Sequence, residues 1–177
     1  RVDKIICNSI YVFNHVKKQL FKKNKIKAIK IYKGYDPNWF ESVNPFDYTS
    51  LGISKNAMIV TLAGTNTKNK RISDFINSSK FLATKKEVHY IIIGKFTKDK
   101  GLEKYKNESP LKNNIHILGL RPDAISLIKG SDIYVQTSLS EGFGRAISEA
   151  MSVGKPIIMT NAGGCTELID DTCGIIT

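Results

Sequence analysis

The residues best suited to chemistry lie in one run, Ser140-Glu141-Gly142-Phe143-Gly144-Arg145-Ala146-Ile147-Ser148-Glu149-Ala150-Met151. Glu141 falls in a loop just before a glycine-flanked helix start, and Glu149 lies within that helix, eight residues on. A helix N-terminus exposes unpaired N–H groups with partial positive charge, a setting that suits a diphosphate. A carboxylate in the preceding loop can accept hydrogen bonds from sugar hydroxyls. A second carboxylate two turns along can grip the two hydroxyls of a ribose. The same two residues also fit a plainer arrangement, Glu141 as a cap and Glu149 on a solvated face, so the surrounding elements have to decide.

Those elements read as alternating strands and helices. Ala57–Ala63, Val88–Ile93, Ile115–Leu118, Ile133–Val135 and Pro156–Met159 are short apolar runs, and Gly174-Ile175-Ile176 begins another. Between them lie helical patterns at 71–84, with Ile72, Phe75, Ile76, Phe81 and Leu82 facing inward, at 100–107, after Asp123 as a cap, and at 144–153. Strands that are apolar throughout and separated by helices indicate a parallel sheet covered on both faces, that is, a doubly wound α/β fold. Gly64, Gly94, Gly119, Gly142/Gly144 and Gly163/Gly164 follow the strands or open the helices, at the edge where such sheets bind ligands. Upstream, Lys4–Cys7 is a short strand, Ser9 can cap a helix over 10–23, and 26–31 alternates as a half-buried strand. The stretch from Lys33-Gly34-Tyr35-Asp36-Pro37 to about 56 has little periodicity and is the best linker.

Composition bounds the partners. The chain has 177 residues, 41% hydrophobic and 24% charged, enough apolar sequence for a sizeable core and no run of the length a membrane span needs. It begins at Arg1 inside patterned sequence, without a signal-peptide pattern over 1–20, and reads as a piece of a longer protein. A net charge of +11 favours anionic partners, yet the lysines are spread along the chain among many Asn and Ile residues, as background composition would spread them. The densest cluster, Lys17, Lys18, Lys22, Lys23 and Lys25, lacks an aromatic platform for bases, so nucleic acid is not an expected partner. Cys7, Cys165 and Cys173 form no CxxC pair or metal-ligand spacing, which points away from zinc or a disulfide framework and toward reducing, cytoplasmic surroundings. His15, His89 and His116 are isolated, the latter two reading as ordinary sheet residues.

The run Glu141-Gly-Phe-Gly-x4-Glu149-Ala-Met, then Gly154-Lys-Pro-Ile-Ile, then Gly163-Gly164-x2-Glu167, resembles the donor-binding signature of family 4 glycosyltransferases, the E-x7-E motif of retaining enzymes with the GT-B fold. Ile117-Leu118-Gly119 and Leu127-Ile128-x2-Ser131-Asp132-Ile133 are similar to the stretch that precedes it. Ala63-Gly64 with Lys70 resembles the first strand and phosphate loop, Ile31–Phe40 the interdomain linker, and Asp3–Ser9 the end of the N-terminal lobe. The resemblance therefore implies two parts: 1–45, the end of an N-terminal lobe and a linker, and 46–177, a C-terminal donor-binding lobe cut short at its end.

It also implies roles. Glu141 would hold donor-sugar hydroxyls beside the N–H groups of Phe143 and Gly144. Those of Arg145 and Ala146 would meet the distal phosphate, and Glu149 the ribose. Gly64, Thr65 and Lys70 would line the phosphate loop, with Lys70 stabilising the charge on the leaving group. Gly119, Leu120 and Arg121 would lie near the base. Lys70 and Glu141 are the catalytic pair on this reading.

Three departures stand out. Thr65 replaces the usual Arg, for which Lys68 or Arg71 could substitute. Arg71 replaces the usual glycine after the lysine. Lys95-Phe96 stands where a second glycine is usual.

The implied function is transfer of a sugar from a nucleoside-diphosphate sugar to a hydroxyl with retention, with no cofactor and no metal. A sugar or lipid-linked acceptor would be held by the other lobe, with peripheral contact at the inner face of the membrane, and the fragment alone would be inactive. The rivals are a degenerate, non-catalytic lobe that binds anionic surfaces, and a GT-B-fold epimerase or phosphorylase.

Overall fold

The computed structural model describes residues 3–20, 27–82 and 87–177. At the N-terminus, β1 (Lys4–Cys7), helix α1 (Ile10–Leu20) and β2 (Lys27–Lys30) form one βαβ unit, its two strands parallel from Lys4↔Lys27 to Cys7↔Lys30. Ser9 caps α1 as expected, its Oγ accepting the Val12 N–H at 3.0 Å. The remainder of the helix expected over 10–23, and Ile26 of the expected strand, lie outside the described residues.

The main body is one parallel sheet of six strands. It contains β3 (Met58–Ala63), β4 (Val88–Ile93), β5 (Ile115–Gly119), β6 (Ile133–Gln136), β7 (Ile157–Met159) and β8 (Gly174–Ile176), in the order β5-β4-β3-β6-β7-β8. Helices α2 (Ile72–Ser78), α3 (Lys100–Asn107), α4 (Ala124–Gly130) and α5 (Arg145–Ser152) connect them. All six residues of β4 are buried, and their alternation divides the core. Tyr90 and Ile92 pack with Phe75, Ile76 and Leu102 on one face, while Ile91 and Ile93 pack with Tyr48, Ile53 and Leu127 on the other. A sheet buried on both faces is why its strands are continuous apolar runs rather than alternating ones. Among the described residues no helix is long and apolar enough to cross a membrane.

Four expectations need correction. The stretch to residue 56 is not all linker, because Tyr48 and Ile53 are 6% and 2% exposed and Phe46 stacks edge-on against Tyr48 at 5.0 Å. Phe81 does not face inward: it sits in a 3-10 turn after α2 and is 83% exposed. The part of the expected helix at 83–84 lies outside the described residues. Asp123 makes no side-chain cap to α4, because the Arg121 guanidinium holds both of its oxygens. His89 and His116 are not isolated. They stack on neighbouring strands with Nδ1 and Nε2 2.9 Å apart, and Glu87 lies 3.0 Å from the other nitrogen of His89.

Candidate functional site

The sheet reverses its order between β3 and β6. From this pair the chain winds outward to β4 and β5 on one side and to β7 and β8 on the other. The loops leaving the carboxyl ends of β3 and β6 flank the usual ligand position in a doubly wound sheet. Here the two loops are laced together. The Leu139 N–H donates to the Asn69 carbonyl at 2.8 Å, and the Asn69 amide donates to the Ser140 carbonyl at 2.7 Å. The Thr137 hydroxyl reaches the carbonyls of Lys70 and Arg71 at 2.9 and 3.0 Å.

This lacing brings Lys70 and Glu141 together as an ion pair between Nζ and Oε1, with the side chains 22% and 14% exposed. Lys70 is thus not one more surface lysine; its aliphatic stem lies against Gly64, 3.6 Å from where a Cβ would stand. Glu141 Oε1 also accepts from Ser138 Oγ at 2.6 Å and lies 3.4 Å from Gln136 Nε2. Gln136 in turn donates to Ser138, and its Oε1 accepts from the Tyr134 hydroxyl at 2.9 Å. Tyr134, Gln136 and Ser138 are buried and two residues apart, so they share one side of the chain and form a polar ladder ending on Glu141. The sequence reading missed this ladder. Its signal was the period-two recurrence of polar-bearing residues in an otherwise apolar strand. The three partners converge on Oε1, and none of them reaches Oε2.

Backbone contacts fix the other side of Glu141. Its N–H donates to the Ala162 carbonyl at 2.7 Å, and its carbonyl accepts from the Gly164 N–H at 2.8 Å. Gly144 then turns the chain into α5 with φ +89°, and a Cβ there would lie 2.9 Å from that of Cys165, so only glycine is accommodated without strain. The N–H groups of Arg145 and Ala146 open the helix directly beyond it. Phe143 is 6% exposed, its ring 6.5 Å from that of Tyr32. Ile147 and Ala150 anchor α5 in the core, which leaves Glu149 half-buried on another side of the helix. Burial holds the Glu149 carboxyl above its ordinary pKa, against the opposing pull of Arg145 and Lys33. Arg145 Nε lies 3.6 Å from Glu149 Oε1, and the Tyr35 hydroxyl reaches the Arg145 carbonyl at 3.4 Å. Lys33 and Tyr35 belong to the linker stretch, so no helical pattern would have placed them beside Glu149.

Gly119, Leu120 and Arg121 lie on the same sheet edge, at the end of β5 two strands from β3, a separation of about 10 Å. Leu120 is 74% exposed, and the Lys98 stem lies across Gly119. The Arg121 side chain is turned to Asp123, with Nε–Oδ1 at 2.7 Å, and its guanidinium carbon lies 5.8 Å from the Phe46 ring centre. Thr65 is exposed in the turn after β3. Arg71, one of the two residues that could stand in for an arginine at 65, is ion-paired with Asp74. The other two departures have a backbone signature. Arg71 (φ +47°) and Phe96 (φ +59°) are the two non-glycine residues with positive φ among those described; on the resemblance Arg71 replaces a glycine, and Phe96 belongs to the Lys95-Phe96 pair that stands where a second glycine is usual.

A strand-order switch, a lysine–glutamate pair on the loops that leave it and a helix N-terminus opening beside them fit a Rossmann-like lobe of the GT-B kind. The sequence matches the family of glycosyl transferases group 1 over residues 44–176, and the chain belongs to that family. It is 28% identical over 155 residues, 85% of the chain, to the N,N'-diacetylbacillosaminyl-diphospho-undecaprenol alpha-1,3-N-acetylgalactosaminyltransferase of Campylobacter jejuni, covering 40% of that protein. It is 30% identical over 118 residues, 64% of the chain, to the UDP-Gal:alpha-D-GlcNAc-diphosphoundecaprenol alpha-1,3-galactosyltransferase of Escherichia coli, covering 30% of it. Among solved structures, Anabaena HepE in complex with UDP and glucose superimposes with a TM-score of 0.83 at 26% identity, over 99% of this chain and 49% of that one. The chain therefore spans half or less of the length of the proteins it matches.

Proposed function

We propose that the chain is the nucleotide-sugar-binding lobe of a retaining glycosyltransferase, which transfers a sugar from a nucleoside-diphosphate donor to a hydroxyl acceptor. The observation that carries this reading is the meeting of Lys70 and Glu141, 71 residues apart, at the strand-order switch beside the start of α5. Lys70 is paired with Glu141. An incoming diphosphate offers the ammonium a second anion, and the N–H groups of Arg145 and Ala146 complete the cradle, with those of Phe143 and Gly144 beside Glu141 at the sugar. As the bond to the leaving group breaks, negative charge grows on the diphosphate, and a fixed cation in a partly buried site stabilises it. Glu141, held by its polar ladder, accepts from hydroxyls of the donor sugar, and Glu149 accepts from the ribose. These groups supply the positive charge themselves, so the proposed reaction uses no metal or cofactor. The base would lie along Gly119, Leu120 and Arg121.

HepE, similar over this whole chain, was solved with UDP and glucose, which supports a nucleotide sugar as donor. The names of two relatives specify acceptors on diphospho-undecaprenol, which supports a lipid-linked saccharide as acceptor; contact at the inner face of the membrane is part of the proposal. Residues 1–45 would be the end of the other lobe and the linker, and 46–177 the donor lobe. The acceptor pocket then falls mostly outside this chain, so the 177-residue piece alone should bind nucleotide and not turn over. Thr65 favours a second reading, a lobe that has lost transfer and binds anions generally.

A thermal-shift panel of nucleoside diphosphates and their sugars on the full-length protein tests the choice. A selective ligand at a hundredfold excess over its dissociation constant stabilises by about 2.7 kcal/mol. That stabilisation should vanish in Glu149→Ala. Stabilisation by any polyanion, indifferent to Glu149→Ala and lost in salt, would favour the second reading. Retention is read from the anomeric configuration of the product by NMR.

A further inference from the structure

Glu167, the last residue of the Gly163-Gly164-x2-Glu167 phrase, takes no part in the site described above. It lies in a 3-10 turn, Gly164–Leu168, after β7, yet its carboxylate reaches the N-terminal unit. Oε2 accepts the Ile10 N–H at 2.8 Å and Oε1 the Tyr11 N–H at 2.8 Å. Oε2 also accepts the Tyr32 hydroxyl at 2.8 Å. Ile10 and Tyr11 are the first two residues of α1, whose N–H groups have no partner within the helix. So α1 is capped twice, by its own Ser9 and by a carboxylate more than 150 residues further along the chain.

The capping carboxylate sits on the loop that fixes Glu141. Gly164 accommodates the approach of α1: a Cβ there would stand 2.6 Å from Ser9 Oγ and 2.1 Å from the Gly142 carbonyl oxygen. A Cβ on Gly163 would stand 2.9 Å from the Tyr11 ring. Through the bonds of Glu141 to Ala162 and Gly164, the turn that holds α1 also holds the backbone of Glu141. Tyr32, bonded to Glu167, packs toward Phe143 two residues after Glu141. Burial works against the Glu167 charge, but the donors at Ile10, Tyr11 and Tyr32 outweigh it and hold its carboxyl below the ordinary range.

We propose that Glu167 is a positioning residue that locks the β1–α1–β2 unit against the donor site, setting where the N-terminal half approaches the sugar held by Glu141. The role in catalysis rests on the glycosyltransferase reading above; the lock itself does not. A lock of this kind acts on the alignment of donor and acceptor and leaves nucleotide binding alone. Misplacing reacting groups by about 1 Å can cost on the order of a hundredfold in rate.

The test uses the full-length protein with Glu167→Gln, which keeps the shape and removes the charge, and Tyr32→Phe, which removes one donor and leaves the turn intact. Three quantities are read: hydrogen exchange at Ile10 and Tyr11, affinity for UDP, and kcat and KM for transfer. In Glu167→Gln, exchange at these two amides should rise at least tenfold while amides of β3 and β4 are unchanged. UDP affinity should stay within about twofold and kcat fall by tens to a hundredfold, the range expected for misalignment. Tyr32→Phe should move exchange and kcat the same way by less. Unchanged exchange at Ile10 and Tyr11 in both variants overturns the lock. Raised exchange with unchanged kcat overturns its part in catalysis. Failure of the unaltered protein to bind any nucleoside diphosphate would sink the glycosyltransferase reading instead, and exchange would still decide the lock.

Discussion

Backbone strain at Arg71 gives a prediction whose sign is unusual. Its φ and ψ of +47° and +44° place it in the left-handed region at the start of α2. A side chain with a Cβ costs roughly 1–2 kcal/mol there, whereas glycine costs nothing. Glycine loses about 0.4–1 kcal/mol more than alanine through the freedom it gains in the unfolded chain. The net expectation is that Arg71→Gly is more stable than Arg71→Ala by about 0.5–1 kcal/mol, the reverse of an ordinary helix or strand position, where glycine is the worse by a similar amount. Comparing two variants that both lack the guanidinium removes the exposed Asp74 ion pair from the difference. For a unit of this size the gap corresponds to roughly 1–4 °C in Tm, measurable by calorimetry on the full-length protein. Phe96, at φ +59°, should give the same ordering for its Gly and Ala variants. An alanine variant more stable than its glycine counterpart at both positions would refute the assignment of these residues to left-handed backbone.

Three further outcomes follow from the site and core. Burial raises the Glu149 pKa, so its charge opposes folding above that pKa; Glu149→Gln should raise Tm at neutral pH while weakening nucleotide binding, read in one thermal-shift series. His116, pushed down to about 4 by burial, His89 and Lys106, stays neutral in the fold while the unfolded chain protonates from about pH 6.5. Stability should therefore fall as pH drops from about 6.5 toward 4, and His116→Gln should lose less over that window in chemical denaturation. On the proposed reading Lys70 and the α5 N-terminus supply the charge stabilisation, and transfer by the full-length protein should then survive EDTA, as followed by nucleotide release.

The sheet was legible because β3 and β4 must bury both faces and so contain no polar alternation. The helix start at Arg145 was legible from its glycine punctuation, whereas the Asp99 cap of the helix from Lys100 was not read. Residues 46–57 were not, since single residues such as Tyr48 and Ile53 enter the core from 3-10 turns and irregular chain that carry no period. Phe81 misled for the opposite reason: its spacing fits the helix, but α2 ends at Ser78 and the following 3-10 turn rotates it into solvent. At the site, Glu141 and Lys70 could be named from the motif, but their contact depends on the switch between β3 and β6, a property of strand order rather than of local sequence. The same holds for Glu167, whose three donors come from the far end of the chain. The His89–His116 contact required the register of β4 against β5, which no spacing within either strand encodes.

The central claim, that the Lys70–Glu141 pair marks where the diphosphate of a sugar donor binds, is tested most directly by titration calorimetry. The ligand is the nucleoside diphosphate selected by the panel, titrated into the full-length protein and its Lys70→Ala variant. A charged hydrogen bond in such a site is worth about 1.5–3 kcal/mol, so affinity should fall roughly tenfold to a hundredfold in the variant. Equal affinity in the two proteins would place the diphosphate elsewhere and contradict the account.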